Sequence, residues 1–187
     1  MEVDVKETLL VVKPGCIRTN TGVMFNFVDP KSEDVKLEDV AFGLSNMNRW
    51  GGQHRQNISV AQHSLRVAQI LEDAGHPLEV VLQGLMHDSS EAYVVDVPRP
   101  LKVLLPQYKE IEDRVSQACS AALGFAYPYA SPVHDVDNQV LQEEYSAWVD
   151  GVDMEQMPPQ VAREAFKAKY HELESRMSDE PVVAQSH

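Results

Sequence analysis

Two histidines and two aspartates are set into otherwise apolar stretches of this chain. His63 stands in Ser59-Val60-Ala61-Gln62-His63-Ser64-Leu65-Arg66-Val67, and His87-Asp88 closes the run Val80-Val81-Leu82-Gln83-Gly84-Leu85-Met86. Asp137 lies in Val133-His134-Asp135-Val136-Asp137-Asn138-Gln139-Val140-Leu141. Ionisable groups on apolar helical surface are costly to bury unless something pairs with them. Two imidazoles and two carboxylates suit a single divalent transition metal. One inward histidine is ordinarily a satisfied core residue. Four inward ionisable groups on three helices are harder to satisfy that way, whereas one cation neutralises both aspartates and accepts both imidazole nitrogens. From spacing alone, a metal centre and an internally paired polar core both remain open.

The elements that must position these groups are mostly helical. Residues from about 15 to 30 predict a β-hairpin: Cys16-Ile17-Arg18, a turn at Asn20-Thr21-Gly22, the alternating run Val23 to Phe27, and Asp29-Pro30 as its end. Leu37, Val40, Ala41 and Leu44 make a short amphipathic helix that stops before Gly51-Gly52. Val60, His63, Ser64, Val67 and Leu71 share one face of the next helix, with Ser59 as cap and Gly75 as stop. Pro77 opens a third helix expected to run to about Val94, and Pro98 and Pro100 predict an extended loop. Further helices are expected at about 107–123, 132–149 and 159–177, with a polar tail from Glu174 onward that frays, most of all over 178–187. The short connection from Leu71 to Pro77 makes the second and third helices antiparallel neighbours and lets His63 approach His87. His87 and Asp88 sit about 100° apart on a helix, so both reach one point only at the edge of the buried face. The expectation is one all-α domain, 1–187, with a small N-terminal β-ribbon.

Composition narrows the function. The chain of 187 residues carries a net charge of −13, which argues against a nucleic-acid partner, because that needs a basic footprint. An anionic small molecule is compatible if a metal and a few Arg or Lys side chains meet its charge locally. No apolar run is long enough for a membrane span, and the charged N-terminus, Glu2, Asp4, Lys6 and Glu7, is unlike a signal peptide. Cys16 and Cys119 give neither a disulfide framework nor a C-x-x-C pair, and are expected to be reduced, in the cytoplasm.

The string His87-Asp88-Ser89-Ser90-Glu91-Ala92-Tyr93-Val94-Val95-Asp96-Val97-Pro98-Arg99-Pro100-Leu101-Lys102 follows Ala61-Gln62-His63-Ser64 and precedes Asp137. This ordered set resembles the HD-domain metal-dependent phosphohydrolases, and within them the compact 5′-deoxynucleotidases and their phage relatives, some of them dATP triphosphohydrolases. The resemblance runs from about Thr21 through the helix after Asp137. It implies a compact HD-domain helical bundle in which His63, His87, Asp88 and Asp137 bind one divalent transition metal: zinc, cobalt, manganese, nickel or iron. The metal would activate water and polarise a phosphoryl group. Glu91, one helical turn past His87 on the same side, matches the glutamate that orients or deprotonates the attacking water. Asp96 matches the second acid of the string, beside sugar and reacting phosphate; its bland alternative is a loop cap before Pro98.

Arg49-Trp50 matches an Arg–aromatic pair that holds phosphate and packs against the nucleoside, although Trp50 is also a candidate for core packing. Lys102 would place its ammonium over the cleft, and His134 stands where relatives carry Lys, making that contact dependent on pH. Arg55 either reaches phosphate or merely sits in the Gly-Gly loop. Arg66 reaches either substrate or a neighbouring carboxylate. His54, His76, His171 and His187 read as surface histidines. The resemblance also implies a homo-oligomer.

The leading expectation is therefore a phosphohydrolase of deoxyribonucleotides, acting on a mono- or a triphosphate, with a dATP-selective triphosphohydrolase as the variant reading. A non-catalytic metal-stabilised interaction module is the rival of another class, opposed by the presence of Glu91, Asp96 and Lys102. A cyclic-nucleotide phosphodiesterase would call for additional histidine ligands that this chain lacks at suitable spacing.

Overall fold

The computed structural model describes residues 13–179. Strands β1 (Cys16–Arg18) and β2 (Met24–Asn26) pair antiparallel, with Ile17 opposite Phe25. Gly22 takes φ 91° in the turn, and both the backbone N–H and the hydroxyl of Thr21 donate to the buried Asp39 carboxylate at 2.7 Å. The hairpin is thereby fastened to the first turn of α1 (Leu37–Asn46). Phe25 is fully buried and stacks on Tyr93 with ring centroids 4.0 Å apart.

After α1 the chain makes a loop closed on itself, with Arg49 N–H donating to the Ile58 carbonyl at 2.8 Å and Val60 N–H to Met47 at 3.0 Å. This closure returns Arg49 and Trp50 to the start of α2 (Val60–Asp73), where the Ser59 hydroxyl caps the Gln62 N–H as its position suggests. Helix α3 (Leu78–Met86) follows directly and packs along α2, so the expected neighbourhood of those two helices holds.

The third helix does not run unbroken to Val94. It tightens at Met86, where Ser89 N–H bonds Met86 O and Glu91 N–H bonds Asp88 O, before α4 (Glu91–Val94). These i→i−3 bonds overwind the backbone relative to an α-helix. The segment at Pro98 and Pro100 also differs from the expected extended loop: Arg99–Lys102 forms a one-turn helix, α5, capped by Pro98. Proline is tolerated there because first-turn N–H groups have no partner to lose.

Helices α6 (Pro106–Leu123) and α7 (Ser131–Asp150) end on left-handed Gly124 and Gly151, and α8 (Pro159–Asp179) completes the described chain. Fraying from Glu174 is overturned up to Asp179: Arg176 pairs with Glu72 and Glu172, holding the last turns to α2. Residues 180–187 of the expected frayed tail lie outside the described residues, as does the N-terminal charge cluster. One apolar cluster draws on the hairpin and all the longer helices, with Leu44, Leu71, Leu85, Val115, Val140 and Phe166 buried within it. The fold is mostly helical with one small antiparallel hairpin. No helix among the described residues is long and apolar enough to cross a membrane.

Gly43 is where α1 crosses α4 most tightly: a Cβ there would stand 2.9 Å from Ala92 Cβ and 3.0 Å from Ala92 O. Gly43→Ala is expected to push α4 outward and destabilise the protein by about 1–3 kcal/mol, the usual cost of overpacking. A urea unfolding midpoint unchanged from the parent would contradict this account of the crossing.

Candidate functional site

The tightened turn between α3 and α4 solves the geometric problem that a regular helix poses for His87 and Asp88. Their side chains turn to a common point, with His87 Nε2 3.3 Å from Asp88 Oδ2. Across from them, α2 presents the fully buried His63, whose Nε2 is 3.8 Å from the same Asp88 oxygen. His63, His87 and Asp88 form a group that could hold a metal ion. Asp137 of α7 borders it, its Oδ1 3.1 Å from His63 Nε2 and 3.7 Å from His87 Nε2.

The donor set fits a cation by its orphaned atoms. His87 Nε2 and Asp88 Oδ2 are buried and have no hydrogen-bond partner, a costly state for two polar atoms unless a ligand completes them. The other ring nitrogens are occupied. His87 Nδ1–H donates to the Gly84 carbonyl at 2.8 Å, and His63 Nδ1–H to Glu144 Oε1 at 2.8 Å. Each imidazole is thereby fixed with Nε2 directed inward, the arrangement by which backing groups orient metal-binding histidines. Ionisation follows the same crowding. Burial opposes charge on His87, but Asp88 and Asp137 outweigh it and raise its pKa well above the ordinary histidine value. Burial likewise opposes the charges of Asp88 and Asp137, yet the imidazoles hold both below the usual carboxylate range.

Glu91 and Asp96 flank this group. Burial, then the charges of Asp88 and Asp96, push the Glu91 pKa well up, and Glu91 Oε2 is buried without a partner. Burial raises Asp96 too, against the pull of Arg49. Arg49 is buried within carboxylates, with Nη1 3.7 Å from Asp88 and 3.8 Å from Asp96 and Nε 3.4 Å from Glu144. Lys102 of α5 lies 2.6 Å from Glu112 and 3.5 Å from Glu91.

Above the group lies a cleft of about 490 Å³, walled by Trp50, Val97, Pro98, Val103 and Leu141 and edged by Arg49, Arg99 and Lys102. The Trp50 indole N–H donates to Glu144 at 3.0 Å, leaving the ring as cleft wall rather than core. A second hollow of about 230 Å³ meets the first at Asp88, Glu91, Lys102 and Asp137, and is also lined by Tyr129 and His134.

Of the residues singled out in the sequence, His63, His87, Asp88, Asp137, Glu91, Asp96, Arg49, Trp50, Lys102 and His134 thus surround one place. Arg55 does not join them: its guanidinium pairs with Asp153 at 3.2 Å, and it lines neither hollow. Arg66 takes the neighbouring-carboxylate option, at 3.4 Å from Glu143. His54 is buried beside Trp148 instead of lying on the surface. Sequence reasoning missed Glu144, the buried hub that holds His63, Arg49 and Trp50, although its position two helical turns past Asp137 on α7 was the available signal. It also missed Arg99, whose guanidinium lies 3.7 Å from Asp137 and bonds Asn138 at 3.0 Å.

No family model matches the chain. Over 128 residues it is 34% identical to the uncharacterized protein YfdR of Escherichia coli strain K12, an alignment covering 68% of this chain and 69% of YfdR. The chain belongs to the YfdR family. It is also 28% identical over 184 residues to an uncharacterized protein of Rhodobacter capsulatus, across 83% of this chain and 94% of that one.

For this YfdR-family chain, titration calorimetry with zinc, cobalt or manganese is expected to show about one divalent ion bound per chain, with protons released from His87 and affinity falling as pH drops. His87→Ala and Asp88→Ala should each abolish it. Glu144→Ala should weaken it by about 10–100-fold through loss of the His63 backing contact. Full occupancy in all three variants would remove this group as a metal centre.

Proposed function

We propose that this chain is a metal-dependent phosphohydrolase of deoxyribonucleotides, belonging to the HD-domain superfamily. The observation that carries the reading is the pair of orphaned, buried atoms, His87 Nε2 and Asp88 Oδ2, converging with His63 beneath a cleft walled by Trp50 and rimmed by cations. His63, His87, Asp88 and Asp137 would hold the metal, one ion of the zinc, cobalt, manganese, nickel or iron class. When bound, such an ion supplies an acidified water and polarises the phosphoryl group.

The chain's own groups would do the rest. Glu91 faces the site without being tied to a histidine, and its raised pKa is the direction in which a general acid–base carboxyl is tuned. It is assigned to orient the attacking water and take its proton. Arg49 keeps its Nη1 beyond hydrogen-bond distance of Asp88 and Asp96, so that donor remains available to a phosphate oxygen by a charge-assisted bond. Lys102 supplies a second positive charge across the cleft, and Asp96, which lines it, is assigned to the sugar. Trp50 presents an apolar face to sugar and base.

The decisive experiment is phosphate release and product analysis over a panel of ribo- and deoxynucleoside mono- and triphosphates with several divalent metals. Hydrolysis of deoxynucleotides only when metal is present is expected; inertness toward the whole panel would refute the assignment and favour a non-catalytic metal-stabilised module. Glu91→Gln should retain fold and metal but lower turnover by roughly 10² to 10⁴. Loss of metal from that variant would make Glu91 a ligand instead.

Trp50→Ala should relax discrimination against ribonucleotides, since an apolar wall penalises an unpaired 2′-hydroxyl. Matched specificity constants for ribo- and deoxynucleotides measure this. Equal ratios in parent and variant would leave Trp50 as packing alone.

A further inference from the structure

Two hollows of different chemistry meet beside the metal-binding group, at Asp88, Glu91, Lys102 and Asp137. The larger presents an indole, two prolines and aliphatic side chains, the surface expected for a nucleoside. The smaller presents Tyr129, Ser116, His134 and Lys109 besides the shared acids and Lys102. Its own acidic groups are already engaged: Glu112 with Lys102 at 2.6 Å, and Asp113 with the Tyr127 hydroxyl at 2.8 Å and Lys109 at 3.8 Å.

Tyr129 stands out within this second hollow. Its hydroxyl is buried and makes no hydrogen bond, with the Ser116 hydroxyl its polar neighbour. The ring cannot easily turn to find one. It stacks on Phe125 at 6.1 Å and meets Tyr127 edge-on at 5.1 Å, and the adjacent Ala130 N–H is held by Gln83 at 2.8 Å. A buried O–H that makes no hydrogen bond is costly in a purely structural core, where phenylalanine would pack equally well. The hollow is also bordered by the start of α7, a long helix whose N-cap, Ala130, supplies no capping side chain. That end carries positive partial charge.

We propose that the second hollow receives the tetrahedral oxyanion end of the substrate, and that Tyr129 Oη donates a hydrogen bond to one of its oxygens. The proposal rests on the phosphohydrolase reading and extends it. It leaves the nucleoside in the larger cleft, keeps Arg49 as a donor to the oxyanion from that side, and makes Tyr129 a substrate-binding residue from the other hollow. Lys109 is a cation at the rim of the same hollow, with His134 beside it.

The test uses the full chain loaded with zinc or cobalt and inorganic phosphate as the probe. Calorimetry should show phosphate binding to the parent, weakened about ten- to a hundredfold in Tyr129→Phe, the factor set by one hydrogen bond to a charged acceptor. The unfolding midpoint of the metal-free variant should equal or exceed that of the parent, because the substitution removes an unpaired donor. Equal phosphate affinity in parent and variant, or a lowered midpoint marking a structural role, would overturn the assignment of Tyr129 while leaving the phosphohydrolase reading intact. A metal-loaded parent that binds no phosphate and hydrolyses no nucleotide would overturn both.

Discussion

An excess of buried negative charge governs this molecule. Asp88, Glu91, Asp96, Asp137 and Glu144 converge beneath the cleft, with Arg49 embedded among them and Lys102 at the edge. Carboxylates removed from water are tolerated only when protons, basic side chains or a cation neutralise them. The same demand raises the pKa of both His87 and Glu91, the former by attraction to Asp88 and Asp137 against burial and the latter by burial and repulsion. A divalent ion at His63, His87 and Asp88 would serve the same end with better geometry, which is why binding it should expel protons.

The helices are arranged around that requirement. His63 of α2 is gripped at both ring nitrogens by α7, through Glu144 and Asp137, and the short α2–α3 connection brings His87 to within 5.3 Å of its ring centre. Glu144 also fastens the Arg49–Trp50 loop, so one carboxylate couples the histidine's orientation to the position of the cleft wall. A change at Glu144 therefore reaches His63 and the cleft wall at once.

Backbone strain is stored at two positions along the cleft. Trp50 takes φ 61° and Val95 takes φ 67°. Such conformations cost on the order of 1–3 kcal/mol each and persist only when neighbours enforce them. The Trp50 indole is tied to Glu144, and the Val95 carbonyl accepts the Tyr108 hydroxyl at 2.7 Å. The strain at Val95 redirects the chain out of α4, so that Asp96 turns back toward Arg49.

Much of this was legible in the residues. Apolar periodicity marked the helices, Ser59 and Gly75 marked the ends of α2, and the inward placement of His63, His87, Asp88 and Asp137 followed from which neighbours share their helical faces. Periodicity is a local property, and local properties survive in a string of letters. What only the tertiary structure decided is pairing at a distance. Glu144 reads as one more acidic residue on a polar helix until α2 lies beside it; Arg55 reads equally as a phosphate contact or a loop residue until Asp153 takes it; Tyr129 reads as an ordinary aromatic until its hydroxyl is found making no hydrogen bond. Helix propensity also hid the tightening after Met86 and the single turn at Arg99–Lys102, because both are set by where the chain must aim its charges rather than by the preferences of the residues that bend. The sequence alone therefore determined which ionisable groups lie on apolar helical faces, and the packing of α2, α3 and α7 determined which of them meet, since burial makes each charge depend on partners far away along the chain.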